Sequence, residues 1–247
     1  MNIDSNSNLN IDILKNSFRN INIELSEKQI NQFIRYYELL IEKNKVMNLT
    51  AITEYKDVVI KHFVDSLLVN DVLDFNNVKS VIDVGTGAGF PGIPIKIIYP
   101  HIKITLLDSL NKRINFLKET VNEIGCNEVE FIHGRAEELG HVEKYREKYD
   151  LCVSRAVANL STLSEYCLPF IKIGGKFVSY KASDIDEEVR LAKNAINKLG
   201  GKISNTYTLI LPSDERIERN FVVIDKVSIM SNKYPRKAGI PSKEPLI

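Results

Sequence analysis

The stretch Asp83-Val84-Gly85-Thr86-Gly87-Ala88-Gly89-Phe90-Pro91-Gly92 holds four of the chain's twelve glycines within eight residues. Glycines at that density let a backbone turn sharply and come close to a ligand, as happens where a strand runs into a helix. The short apolar run 80–84 ahead of it is strand-like, and Pro91 suits the first turn of a helix. Further apolar runs at 102–107, 129–132, 151–153 and 176–180 alternate with helical stretches, which predicts a βαβ array and a parallel sheet. Between two of these runs, Leu110, Ile114, Leu117, Val121 and Ile124 recur at steps of 4, 3, 4 and 3, with Gly125 at the place of a left-handed stop. The runs 202–211 and 220–227, joined by Pro212, Ser213 and Asp214, predict a closing hairpin with an antiparallel strand.

Ahead of the glycine loop only helices are legible. Ser26 and Gln29 form a capping-box pair, followed by Ile30, Phe33, Tyr37, Leu40 and Ile41 at helical spacing, and residues 55–73 form a second amphipathic stretch. Residues 1–75 are therefore expected to be a helical extension and residues 76–247 the α/β domain with a basic tail. The Asn-rich start is expected to fray. A length of 247 residues fits one elaborated α/β unit, and 44% hydrophobic with 26% charged residues excludes a disordered or collagen-like chain.

No apolar window reaches membrane-spanning length, and the first residues lack the basic start of a signal peptide. Three cysteines without a C-x-x-C pair, and four histidines at no ligand spacing, predict free thiols, no metal site and a cytoplasmic location. The 33 basic and 32 acidic side chains nearly cancel, so any nucleic-acid binding must come from a local patch. Nothing in the sequence marks an oligomer interface, and a monomer is expected.

Nineteen residues past Gly89, at the end of the second strand, stands Asp108, placed to accept hydrogen bonds from both ribose hydroxyls of an adenosine cofactor. Two cofactor classes share that arrangement. Gly87 to Gly92 is formally the dinucleotide pattern G-x-G-x-x-G. Asp83, two residues before Gly85, favours S-adenosyl-L-methionine instead, because a carboxylate suits a cationic methionine end and would repel a pyrophosphate. Asp83, Gly87, Gly89 and Asp108 are thus candidate cofactor contacts. Two further strand ends should line the same edge: Gly134-Arg135-Ala136-Glu137-Glu138, near an adenine, and Ser154-Arg155-Ala156-Val157, facing the transferred methyl group.

The acceptor is narrowed by what the chain lacks. No Asn-Pro-Pro-Tyr-like clamp for an exocyclic amine follows the fourth strand, and Cys126, Cys152 and Cys167 all fall at packing positions rather than as activated thiols. A nucleophile that needs no proton removed, such as guanine N7, fits better: transfer then needs orientation and electrostatics, not a general base.

These motifs, with Asp108-Ser109, Lys112-Arg113, Met47-Asn48-Leu49-Thr50, His62-Phe63-Val64-Asp65-Ser66-Leu67 and Tyr234-Pro235-Arg236-Lys237-Ala238-Gly239-Ile240-Pro241, closely resemble the small-subunit ribosomal RNA guanine-N7 methyltransferases, long called the glucose-inhibited division protein B family. The resemblance implies a seven-stranded, mostly parallel Rossmann-like sheet of the class I methyltransferase type, with helices on both faces. It implies Gly85, Phe90, Ala136, Glu137 and Arg155 as cofactor contacts, with Arg155 the catalytic candidate. Its implied partner is 16S ribosomal RNA in the small subunit or a precursor, modified at one guanine of the decoding-region loop. The tail residues Lys233, Arg236, Lys237 and Lys243 are the expected phosphate contacts, with Lys61 and His62 on the extension as a further RNA-facing pair.

Overall fold

The computed structural model describes residues 5–156, 158–182 and 185–247; Val157 of the fourth-strand motif lies outside the described residues. Helix α1 (Ser5–Arg19) precedes α2 (Glu27–Met47), whose N-terminus carries the expected capping box: Gln29 N–H donates to Ser26 Oγ and Ser26 N–H to Gln29 Oε1. From Ser5 onward the Asn-rich start is helical rather than frayed, because Leu14 and Phe18 anchor α1 in the core and Phe18 packs on Phe33 at 4.8 Å. The stretch 55–73 is not one regular helix. It runs as α3 (Tyr55–Val58), a wide π turn (Val59–Val64), α4 (Asp65–Leu67) and a 3₁₀ turn (Leu68–Asp71). Arg155 donates into the π turn at the Lys61 and His62 carbonyls, the kind of side-chain insertion that widens a helix.

Seven strands follow: β1 (Ser80–Val84), β2 (Lys103–Asp108), β3 (Val129–His133), β4 (Tyr149–Ser154), β5 (Ile171–Lys181), β6 (Gly201–Leu211) and β7 (Ile217–Lys226). They lie in the order β3-β2-β1-β4-β5-β7-β6. The first five pair in parallel, and β7 pairs antiparallel with both β5 and β6, so the closing hairpin is inserted with its second strand innermost. Chain order reverses between β1 and β4, which places a crevice beyond the carboxyl ends of the strands at that point.

Helices cover both faces. On one face α5 (Gly92–Ile98) and α6 (Asn111–Glu123) pack together with the extension, and Phe33, Tyr36 and Phe63 share a continuous core with Val81, Ile95, Leu106 and Leu117. On the other, α8 (Leu160–Cys167) and α9 (Asp186–Lys198) bury Leu163 and Ile196 against Ile82, Cys152 and Phe177. Two one-turn helices, α7 (Ala136–Leu139) and α10 (Ile240–Lys243), complete the fold. The tail does not extend into solvent: the Arg146 guanidinium donates to the Met230, Ser231 and Tyr234 carbonyls, and Thr162 Oγ1 donates to the Pro241 carbonyl.

Candidate functional site

The glycine loop is built from below. Gly85 N–H and Thr86 N–H donate to the Leu107 carbonyl at 2.9 and 3.1 Å, which ties the loop to β2, and Gly85, Gly87 and Gly89 all have positive φ. A Cβ on Gly92 would lie 2.4 Å from Leu106 Cδ2, so only glycine lets α5 start this close to the sheet. Asp83 is fully buried under the loop; its Oδ2 accepts from Thr86 Oγ1 at 2.7 Å and Gly92 N–H at 2.9 Å, while Oδ1 has no partner. This corrects the expectation that Asp83 opens onto the ligand: its carboxylate lies beneath the loop, because both of its partners are loop groups. Phe90 also turns away, stacking on His62 at 4.6 Å and packing on Tyr36 at 5.4 Å, so its ring joins the loop to the extension.

Burial pushes the Asp83 carboxyl from its ordinary 3.8 up to about 7, against the opposing pull of Thr86, Gly92 N–H and Arg155. The consequence for stability has a definite sign. Between about pH 4 and 7 the unfolded chain releases this proton while the folded chain keeps it, so the Asp83 contribution to stability falls as pH rises through that window. Asp83→Asn should remove the fall: relative to wild type, the variant is expected to gain a few kcal/mol between pH 4 and 7 in urea denaturation. Parallel pH profiles for the two proteins would contradict this.

Above the loop, at the reversal of chain order, is a cavity of about 450 Å³ lined by Gly85, Asp108, Arg135, Glu137, Arg155 and Tyr166, with Ala136 in its wall. Five expected cofactor residues, Gly85, Asp108, Ala136, Glu137 and Arg155, thus meet in one space, whereas Asp83, Gly87, Gly89 and Phe90 shape it from outside. Asp108 sits at the end of β2 with Oδ1 accepting from Leu110 N–H and Oδ2 from Gly87 N–H, both at 2.9 Å, and from Arg113 at 3.3 Å. Glu137 opens α7, where a carboxylate is favoured by the helix N-terminus, and its Oε1 accepts from Gly239 N–H in the tail at 2.9 Å.

Arg155 leaves the end of β4 toward the extension. Its Nη1 donates to Ser66 Oγ at 3.0 Å, its Nη2 pairs with Asp65 Oδ2 at 3.0 Å, and its guanidinium lies 5.8 Å from the Phe90 ring centre. On its other side is a second cavity, which also takes in Asp65, Lys181 and Arg219. Sequence reasoning missed these three. The available signal was an acid at position 65 flanked by Phe63, Val64, Leu67 and Leu68.

Two expected RNA contacts are corrected. The Arg236 guanidinium grips the fully buried Glu165 through Nε at 3.0 Å and Nη2 at 2.7 Å, and also bonds the Glu244 carbonyl, so it pins the tail rather than facing solvent. His62 is held by Thr50 Oγ1 at 2.8 Å, and burial pushes its pKa down to about 4, so it is a neutral packing residue near pH 7. Lys61 pairs with Asp57 at 2.9 Å, while Lys233, Lys237 and Lys243 are exposed. Among the described residues no group of acids, histidines and cysteines is arranged to hold a metal, and burial raises the Cys152 and Cys126 thiols above their ordinary range, which leaves them poor nucleophiles.

Residues 29–217 match the family described as rRNA small subunit methyltransferase G. A protein named ribosomal RNA small subunit methyltransferase G from Exiguobacterium sp. AT1b is 53% identical over 91% of this chain and 94% of its own length. One of the same name from Alkaliphilus oremlandii is 52% identical over 95% and 98%. Among solved structures, a methyltransferase from Pyrococcus furiosus superposes with a TM-score of 0.55 at 14% identity, covering 80% of this chain and 99% of that one, a likeness of fold.

Proposed function

The chain belongs to the rRNA small subunit methyltransferase G family, and from that premise we propose that it transfers a methyl group from S-adenosyl-L-methionine to N7 of a guanine in 16S ribosomal RNA. The observation that carries the cofactor reading is the cavity at the reversal of chain order, with Asp108 at one end and Glu137 beside it. The donor set suits an adenosine: Asp108 would accept from the ribose hydroxyls, and Ala136 and Glu137 would border the base. Asp83 contributes from beneath, fixing the loop through Thr86 Oγ1 and Gly92 N–H. The cofactor supplies, when bound, an electrophilic methyl group on a cationic sulfur.

Guanine N7 carries a free lone pair, so the chain's task is to orient the base and exclude competing nucleophiles rather than to remove a proton. That division of labour fits a cavity with no histidine among its described lining residues, His62 being fixed outside it in a stack with Phe90. The substrate is read as the small ribosomal subunit or its precursor, acted on by a monomer in the cytoplasm. No helix among the described residues is long and apolar enough to cross a membrane. Residues 1–75 are assigned as the helical extension and 76–247 as the transferase domain with its tail.

Mass spectrometry of 16S RNA treated with purified protein and isotopically labelled cofactor tests the whole reading; label on any atom other than a guanine N7 overturns it. For the cofactor, Asp108→Ala is expected to weaken binding by roughly ten- to a hundredfold, the loss of one charged acceptor. Calorimetry returning wild-type affinity would remove Asp108 from the site. For the RNA, Lys233, Lys237 and Lys243 remain the tail's candidate phosphate contacts. Each one lost should flatten the slope of log affinity against log salt by about 0.7, with cofactor affinity unmoved.

A further inference from the structure

The cavity on the far side of Arg155 has no role in the reading so far. Its volume is about 490 Å³, within the range of sites that take small ligands, and its lining includes Asp65, Arg155, Asn159, Tyr180, Lys181 and Arg219. The walls therefore come from the extension, from the end of β4, and from β5 and β7. Arg155, Ala156 and Ala158 also line the cofactor cleft, so an acceptor in this cavity would meet a methyl donor across those same residues.

Its charges are arranged around one acid. The buried Asp65 carboxylate gives one oxygen to each of two arginines: Oδ2 to Arg155 Nη2 at 3.0 Å and Oδ1 to Arg219 Nε at 2.7 Å. Two guanidinium groups on one wall would otherwise repel each other, and the carboxylate between them fixes both in place. Tyr180 closes the same wall by donating to the Ser66 carbonyl at 2.9 Å, and Lys181 is drawn to Glu188 at 2.6 Å. Among the described lining residues three cations face two carboxylates, which leaves one positive charge over.

We propose that this cavity takes the target nucleotide, and that Asp65 is its positioning residue: by holding Arg155 and Arg219 from the extension, it sets the two cations that meet the nucleotide's phosphate beside the transferred methyl group. The one positive charge left over among the described lining residues matches one phosphodiester. The extension is then part of the acceptor site, which explains why its acid reaches into the transferase core. The inference rests on the proposed guanine transfer, and its test separates the two.

The test compares wild type, Asp65→Asn, Arg219→Gln and the double variant in steady-state methylation of small subunits, with cofactor affinity measured by calorimetry. Asp65→Asn keeps the shape and both cations, so KM for RNA should stay within about threefold while kcat falls by about a hundredfold, the cost of a misplaced acceptor. Cofactor affinity should fall far less than kcat, because Asp65 does not line that cleft and Arg155, which does, keeps its charge and its Ser66 and His62 carbonyl partners. The losses in the double variant should be clearly less than the product of the single losses, since Asp65 acts in part through Arg219. A folded Asp65→Asn with wild-type kcat, a parallel loss of cofactor affinity, or multiplied losses in the double variant overturns the proposal. If Asp65→Asn does not fold, Arg219→Gln decides: unchanged kcat with unchanged KM overturns it. Failure of wild type to methylate a guanine would instead strike the reading of function.

Discussion

Replacing Arg236 by alanine is expected to lower stability by about 3–5 kcal/mol, the cost of leaving one partner of a buried ion pair behind. Glu165 is fully buried on α8, and Arg236 supplies a forked contact to both of its oxygens together with its own backbone N–H at 2.7 Å. Alanine leaves that carboxylate with the backbone donor alone. In thermal unfolding the shift should be on the order of 10 °C for a chain of this size. Arg236→Lys should recover only part of it, because an ammonium cannot reproduce the planar fork. A midpoint within about 2 °C of wild type would show that Glu165 finds another partner. The salt dependence of RNA binding should not move.

Tyr36→Ala should be comparably damaging, about 3–5 kcal/mol, and should also weaken cofactor binding. The Tyr36 ring is wholly buried between Phe63 and Phe90, at 5.3 and 5.4 Å, and its hydroxyl donates to the Ala88 carbonyl at 2.6 Å. The extension thus holds the glycine loop from outside while Asp83 holds it from beneath. Tyr36→Phe separates the two contributions: it keeps the ring and leaves the Ala88 carbonyl unpartnered, for about 1–3 kcal/mol. Calorimetric affinity for S-adenosyl-L-methionine should fall in Tyr36→Ala well before Tyr36→Phe. Equal affinities in a folded Tyr36→Ala would mean that the loop holds its shape without the extension.

The sheet was legible because its signals are local: apolar runs of strand length, a glycine cluster at a strand end, and Asp108 at a fixed interval beyond it. The residues gathered around the cleft followed from the same strand ends. What escaped was set by contacts distant in sequence. Arg236 reads as one of several tail cations, and nothing near it reveals that its partner is Glu165, 71 positions earlier. His62 reads as a polar surface residue, but Thr50 and Phe90 enclose it. Asp83 is legible as the acid at the end of β1, yet whether a carboxylate at a strand end faces up or down depends on which donors the loop turns toward it. The π turn is likewise invisible from residues 59–64 alone, since the guanidinium that bonds its carbonyls belongs to Arg155, just past β4.

The position of β7 between β5 and β6, with Arg236 later in the chain than either, bears on how the molecule is made. A nascent chain emerges in order, so β6 is synthesised before the strand that must separate it from β5, and Glu165 is synthesised long before its counter-charge. Neither the sheet edge nor that buried acid can reach its final partner until residues 217–236 have been made. A chain cut before residue 217 would carry an open strand edge and an unmatched interior charge, both marks of a species prone to aggregate and open to proteases.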